Sequence, residues 1–125
     1  MMTSLIQVAL GGAIGASARY LTNVATFRYF GPGFPWGTVV VNVLGSFLMG
    51  ILIVVLAQLS GNRFAPFLMT GVLGGFTTFS AFSLDAVTLW ERGEALHAVG
   101  YVAGTVSVSI AALVAGLFLA RGAFA

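Results

Sequence analysis

The side chains able to do chemistry in this chain are few and mostly uncharged. Asn42 lies inside the apolar run Gly37-Thr38-Val39-Val40-Val41-Asn42-Val43-Leu44-Gly45-Ser46. An amide at that depth is either an interhelical hydrogen-bond tie or a ligand group, because hydrocarbon offers it no partner. Further along, Gly74-Gly75-Phe76-Thr77-Thr78-Phe79-Ser80-Ala81-Phe82-Ser83 combines two glycines, four hydroxyls and three phenylalanines. Glycines beside paired threonines weaken a helix, so an unwound turn is predicted about Gly74 to Thr78. Its freed carbonyls and amides would have to line a cavity, hold an ion or be buried in protein; the plainer reading is a packing kink. Phe76, Phe79 and Phe82 are three apart and are predicted to share one helix face, which as a bare stripe fits core or lipid. Tyr101, Thr105 and Ser109 are four apart and stack on one face. They form either a polar track or a set of hydroxyls bonded back to the carbonyls four residues earlier. Ser107 lies off that line. Arg19 ends an apolar stretch, where a snorkelling anchor is the default reading. Asp85 reads as an interfacial carboxylate or an ion-pair partner.

These groups need an apolar scaffold, and the composition supplies one. The chain has 125 residues, of which 59% are hydrophobic and only 6% charged, whereas a soluble domain is about a quarter charged. A soluble surface cannot be built from so few charges. A spanning helix takes roughly 20 apolar residues, so the length allows about four spans and short loops. They are predicted over about 4–21, 36–58, 64–90 and 95–120. Arg28, Gly31, Pro32, Gly33 and Pro35 break the chain after the first span, and Trp36 opens the second as an interfacial anchor. Ser60, Gly61, Asn62 and Arg63 make a turn, and Glu91, Arg92, Gly93 and Glu94 return the chain to water after the third span. Arg121 closes the fourth. The first stretch lacks the charged start and clear cleavage site of a secretory signal, so it is kept as a span. No internal repeat is evident. Small residues at spacings of four, Gly11 with Gly15 and Gly71 with Gly75, allow close helix packing.

Charge excludes several classes. The arginines are scattered singly and there is no lysine, so no basic face for nucleic acid exists. With no cysteine, disulfides, thiolate metal sites and cysteine nucleophiles are ruled out. His97, the only histidine, lies near a loop, and no nucleophile sits beside a base, so an enzyme is not expected. Arg63 and Arg121 fall on the side of the termini, and Arg19, Arg28 and Arg92 on the other. That near-balance gives no strong orientation under the positive-inside rule, and it becomes two against two if Arg19 sits at the membrane edge or inside the protein.

Three segments together resemble the signature of the Fluc fluoride channels, also called the CrcB family: Gly11-Gly12-Ala13-Ile14-Gly15-Ala16-Ser17-Ala18-Arg19-Tyr20, then Gly37 to Asn42 with Gly45-Ser46-Phe47, then Gly74 to Ser80. The third segment is the specific one, and length and span count agree along essentially the whole chain. The resemblance implies an all-α membrane protein of one transmembrane channel domain, with the third helix broken mid-membrane. It implies an antiparallel, dual-topology homodimer with two pores, resident as a multi-pass protein in the inner (plasma) membrane lipid. It further implies a structural sodium ion at the dimer interface, held by the backbone carbonyls of Gly74 and Thr77. Phe79 and Phe82 would match the pore phenylalanines, Asn42 the pore asparagine, and Tyr101, Thr105 and Ser109 the polar track, with Arg19 structural. The implied role is passive export of fluoride. The competing expectations are a small four-helix multidrug transporter, which should carry an acid in its first span where this chain has none, and a structural subunit, which would leave the third segment unexplained.

Overall fold

The computed structural model describes residues 1–59 and 62–125. Helix α1 is Met2–Phe30 and α2 is Trp36–Leu59. The third segment starts as a π-wound stretch, Pro66–Leu73, and continues as a single α-helical turn, Gly74–Phe76; together these are α3. After a non-helical interval α4 runs over Ser80–Glu91, and α5 is Ala95–Ala123. The described residues contain no strand.

Among the described residues three stretches are long and apolar enough to cross a membrane: Trp36–Leu59, Pro66–Glu91 and Ala95–Ala123. Their apolar windows are only 28%, 22% and 11% buried within the protomer, so most of that surface needs lipid or another protein surface to cover it. Helix α1 has 29 residues, as many as α5, but Gln7, Arg19, Thr22, Asn23 and Thr26 dilute its apolar character. It also runs past the predicted end near Leu21, stopping at Gly31, whose φ of 75° takes the chain out of the helix. Of the predicted turn at Ser60, Gly61, Asn62 and Arg63, the last two are in a turn and the first two lie outside the described residues.

Glycine placement decides which helices meet. A Cβ on Gly15 would collide with the Val72 carbonyl oxygen, and one on Gly11 with the Phe67 carbonyl oxygen. On the α3 side, a Cβ on Gly71 would lie 2.8 Å from the Gly11 Cα, and one on Gly75 2.9 Å from the Gly12 carbonyl oxygen. The backbones of α1 and α3 therefore touch directly, which is the close packing that small residues allow. Gly50 and Gly116 do the same between α2 and α5, meeting the Leu113 and Phe47 carbonyl oxygens respectively. Gln7 adds a polar tie, its Oε1 accepting the Phe67 N–H at 3.2 Å, one of the donors left open at a helix start.

The resulting order is α3 on α1, α1 on α2, α2 on α5 and α5 on α4. The third membrane segment is thus divided between neighbours, its first half on α1 and its second half on α5. At one end of the bundle, Arg92 Nη2 donates to the Gly33 carbonyl at 3.2 Å. That bond ties the α4–α5 turn to the α1–α2 loop and puts both connections at the same end.

Candidate functional site

In an unbroken helix each N–H bonds to the carbonyl four residues earlier. Between α3 and α4 that ladder is replaced by side chains. The Thr78 N–H donates to Asn42 Oδ1 at 2.8 Å, and Asn42 Nδ2 donates to the Thr78 carbonyl at 2.9 Å. The Ala81 N–H donates to Thr78 Oγ1 at 3.1 Å, and Arg19 Nε donates to the Gly75 carbonyl at 3.0 Å. Thr77 is extended at φ −87°, ψ 160°. Buried backbone groups in hydrocarbon must find partners, and each of these does so without the helix.

The break therefore lies at Thr77 to Phe79, further along than the predicted Gly74 to Thr78. Gly74 itself is helical at φ −62°, ψ −37°, and Gly75 serves the contact with α1. Phe76, Phe79 and Phe82 do not share a helix face as predicted, because the break falls between them. Phe76 packs beside Gly45, Phe79 is 77% exposed and Phe82 is 8% exposed. Arg19 does not snorkel away from the protein; its guanidinium turns onto the broken segment. Two carbonyls also change status. The Thr78 and Ala81 amides, the helical donors for the Gly74 and Thr77 carbonyls, point to side chains instead.

Beside the break, α2, α4 and α5 enclose a cleft of about 320 Å³. Of the six predicted pore residues it is lined by Asn42, Phe79, Phe82, Thr105 and Ser109. Asn42 spends its oxygen and one N–H on Thr78, which leaves one N–H. The Thr105 Oγ1 and Ser109 Oγ are buried with no hydrogen-bond partner, so they do not bond back along α5. Buried hydroxyls without partners are uncommon and call for a reason. The two rings stand edge to face, centroids 5.7 Å apart at 61°, and the other walls are largely apolar. The arrangement offers O–H and N–H donors to something small that accepts hydrogen bonds.

Tyr101 stands at the end of this line rather than in the cleft. It is fully buried, its ring 5.2 Å from that of Phe82. Its hydroxyl donates to Asp85 Oδ2 at 2.9 Å, and Thr38 Oγ1 donates to the same oxygen at 2.7 Å. Asp85 is thus held by two hydroxyls. Thr38, Asn42 and Ser46 are spaced four apart on α2, and all three contribute, since Ser46 also lines the cleft. The same spacing singled out Tyr101, Thr105 and Ser109, and it would have found this second column too.

With this geometry the chain was compared with known proteins. Residues 6–117 match the family model for CrcB-like protein, Camphor Resistance (CrcB). A fluoride-specific ion channel FluC from Cereibacter sphaeroides is 69% identical over 98% of both chains. Proteins of the same name from Paracoccus denitrificans and Agrobacterium fabrum are 56% and 51% identical, covering 100% and 98% of this chain and 100% of each relative.

The unpartnered hydroxyls make a stability prediction. Thr105→Val with Ser109→Ala removes groups that bond to nothing in the protein, so thermal unfolding of the purified protein should shift by less than about 0.5 kcal/mol in stability. Thr38→Val, which takes a donor from a carboxylate, should cost about 1.5–3 kcal/mol. Equal losses in both variants would show that Thr105 and Ser109 have structural partners.

Proposed function

The chain belongs to the CrcB family, and from that premise and the shape of the cleft we infer that it is a fluoride-specific ion channel, carrying the ion passively across a membrane. The observation that carries the reading is the pair of partnerless hydroxyls, Thr105 and Ser109, in the cleft that Asn42 also lines. Fluoride is small and strongly hydrated, so a pore must replace its water with donors. The two hydroxyls and the remaining Asn42 N–H are such donors. The edges of Phe79 and Phe82 add the positive rim of the ring quadrupole. Conduction is not a chemical reaction, and the pathway needs neither a nucleophile nor a base. A proton-coupled multidrug carrier and a purely structural subunit both leave this donor set without a task.

The assembly is part of the same proposal. Helix α1, glycine-packed along α3, makes a fourth crossing, which places both termini on one side. With Arg19 engaged inside the protein, Arg63 and Arg121 balance Arg28 and Arg92, so the chain inserts both ways up and pairs as an antiparallel homodimer. The Gly74 and Thr77 carbonyls, deprived of their helical donors, suit a hard cation such as sodium. Two oxygens alone hold such an ion poorly, and a second copy across a two-fold axis would double the set. The ion would supply positive charge that draws the two broken segments together; the Asn42 and Arg19 contacts hold each segment open on its own.

Purified protein in liposomes should release fluoride and retain chloride. Asn42→Asp puts a carboxylate in a low-dielectric path, where repulsion between like charges is strong, and should stop the release. Phe82→Ile keeps bulk but deletes the ring quadrupole, and Thr105→Val with Ser109→Ala deletes the donors. Each should slow fluoride on the order of tenfold or more, about 1.4 kcal/mol on the barrier. Release at the parent rate from variants that assemble normally would remove these side chains from the path.

A structure determined in sodium, at a resolution that shows ions, should contain two antiparallel copies with a cation among the Gly74 and Thr77 carbonyls. Parallel copies, or an axis without a cation, would contradict the assembly.

A further inference from the structure

Asp85 ends the polar line that Tyr101, Thr105 and Ser109 form on α5, and it is reached from outside by two recesses. One, of about 280 Å³, is lined by Asn23, Thr26, Thr38 and Asp85 among others. The other, of about 130 Å³, has Asp85 and Thr88 on one side and Arg92 on the other, closed by Leu89 and by Pro32 and Pro35, which also border the first. The Asp85 end of the line thus faces two recesses that share Pro32 and Pro35 of the α1–α2 loop, with Arg92 lining the smaller one.

The charge at this mouth is unfavourable to an anion. Of the chain's three acids, Asp85 lines both recesses, Glu94 stands at the rim through its ion pair with Arg92, and Glu91 lines neither. His97 lines neither recess and lies 3.9 Å from Glu94. Arg28, in the last turn of α1, lines neither recess. Arg92 does, and it is fixed there. Its Nη2 donates to the Gly33 carbonyl at 3.2 Å and lies 3.0 Å from Glu94 Oε2, while the side chain stays 47% exposed. A cation tethered at two points holds its charge over the recess instead of sweeping through solvent.

We propose that Arg92 is the mouth residue of the conduction path, where its positive charge offsets Asp85 and Glu94 and raises the local concentration of fluoride at the Asp85 end above what those acids alone would allow. The proposal rests on the fluoride-channel reading. Focused charge at a cleft acts on the approach rate and weakens as salt shortens the screening length, from about 30 Å at 0.01 M to about 10 Å at 0.1 M. A residue that merely braces the loop through Gly33 would show no such salt dependence.

The chain has no cysteine, so the charge at this position can be set chemically on one folded protein. Arg92→Cys is purified, reconstituted, and treated with a thiol reagent bearing either a quaternary ammonium or a sulfonate. Fluoride efflux from liposomes is then read at about 0.01 M and about 0.3 M ionic strength of impermeant salt. At low ionic strength the ammonium adduct should run within about two-fold of the parent and the sulfonate adduct on the order of five-fold or more slower. The gap should shrink below about two-fold at high ionic strength. Arg92→Lys, which keeps the charge, should follow the parent, and Arg92→Gln, which keeps an N–H donor for Gly33, should follow the sulfonate adduct with a smaller loss. Equal rates for the two adducts, a gap that ignores salt, or Arg92→Gln matching the parent at low salt would overturn the proposal. A parent that releases no fluoride would overturn the channel reading itself.

Discussion

The amide of Asn42, paired to both backbone groups of Thr78, is the interaction on which the rest of the site depends. A membrane offers an unwound segment no water, so a break in a spanning helix survives only if each freed N–H and carbonyl finds a partner. Asn42 supplies a donor and an acceptor from one side chain, in the order a peptide presents them. The Arg19 guanidinium takes the Gly75 carbonyl from the other flank, and the Thr78 hydroxyl accepts the Ala81 N–H in the first turn of α4. Those contacts spare Thr78, Ala81 and Gly75 the several-kcal/mol penalty of an unsatisfied polar group in hydrocarbon, and they leave the Gly74 and Thr77 carbonyls without their helical donors.

The break then does two things at once. It lets the first half of the segment lie on α1, through backbone contacts that only glycines at 11, 15, 71 and 75 permit, while the second half lies on α5. It also brings Phe79 and Phe82 to the wall of α5, opposite hydroxyls that have no other partner. Stability and function pull against each other at Thr105 and Ser109. The same positions filled with apolar groups of like shape would cost the fold little, so packing alone does not explain the hydroxyls, and the proposed conduction path gives them a task.

Much of this was legible in the sequence because hydrocarbon makes polar residues informative. Asn42, the Thr-Thr pair and the Tyr101, Thr105 and Ser109 column stood out by type and depth, and the cleft unites all of these except Tyr101, whose hydroxyl turns to Asp85. The errors share a cause. Local propensity centres the unwinding on Gly74 to Thr78, which overlaps the break at Thr77 and Thr78 but starts too early, because a partner 36 residues away in the chain decides its position and Gly75 answers to α1. The default of a snorkelling Arg19 fails, because sequence gives the depth of a side chain and not the direction in which it turns; its bond to the Gly75 carbonyl is compatible with the structural place the resemblance implies. Helix α1 continues past the expected end near Leu21 to Phe30, because the membrane-length apolar run ends before the helix does and the breaker that stops it is Gly31. Thr38 and Ser46 were legible in principle, four residues either side of Asn42.

The claim that Asn42 holds the helix open is tested most directly by amide hydrogen exchange at Thr78 and its neighbours, compared between the parent protein and Asn42→Leu in the same lipid. In the parent, the Thr78 amide, bonded to a side chain at 2.8 Å, should be protected. In Asn42→Leu it should exchange at least about tenfold faster, as loss of about 1.4 kcal/mol or more of local stability requires, while amides in α2 and α5 keep their protection. Unchanged protection at Thr78 in the variant would mean that the break stands without Asn42, and would contradict the account.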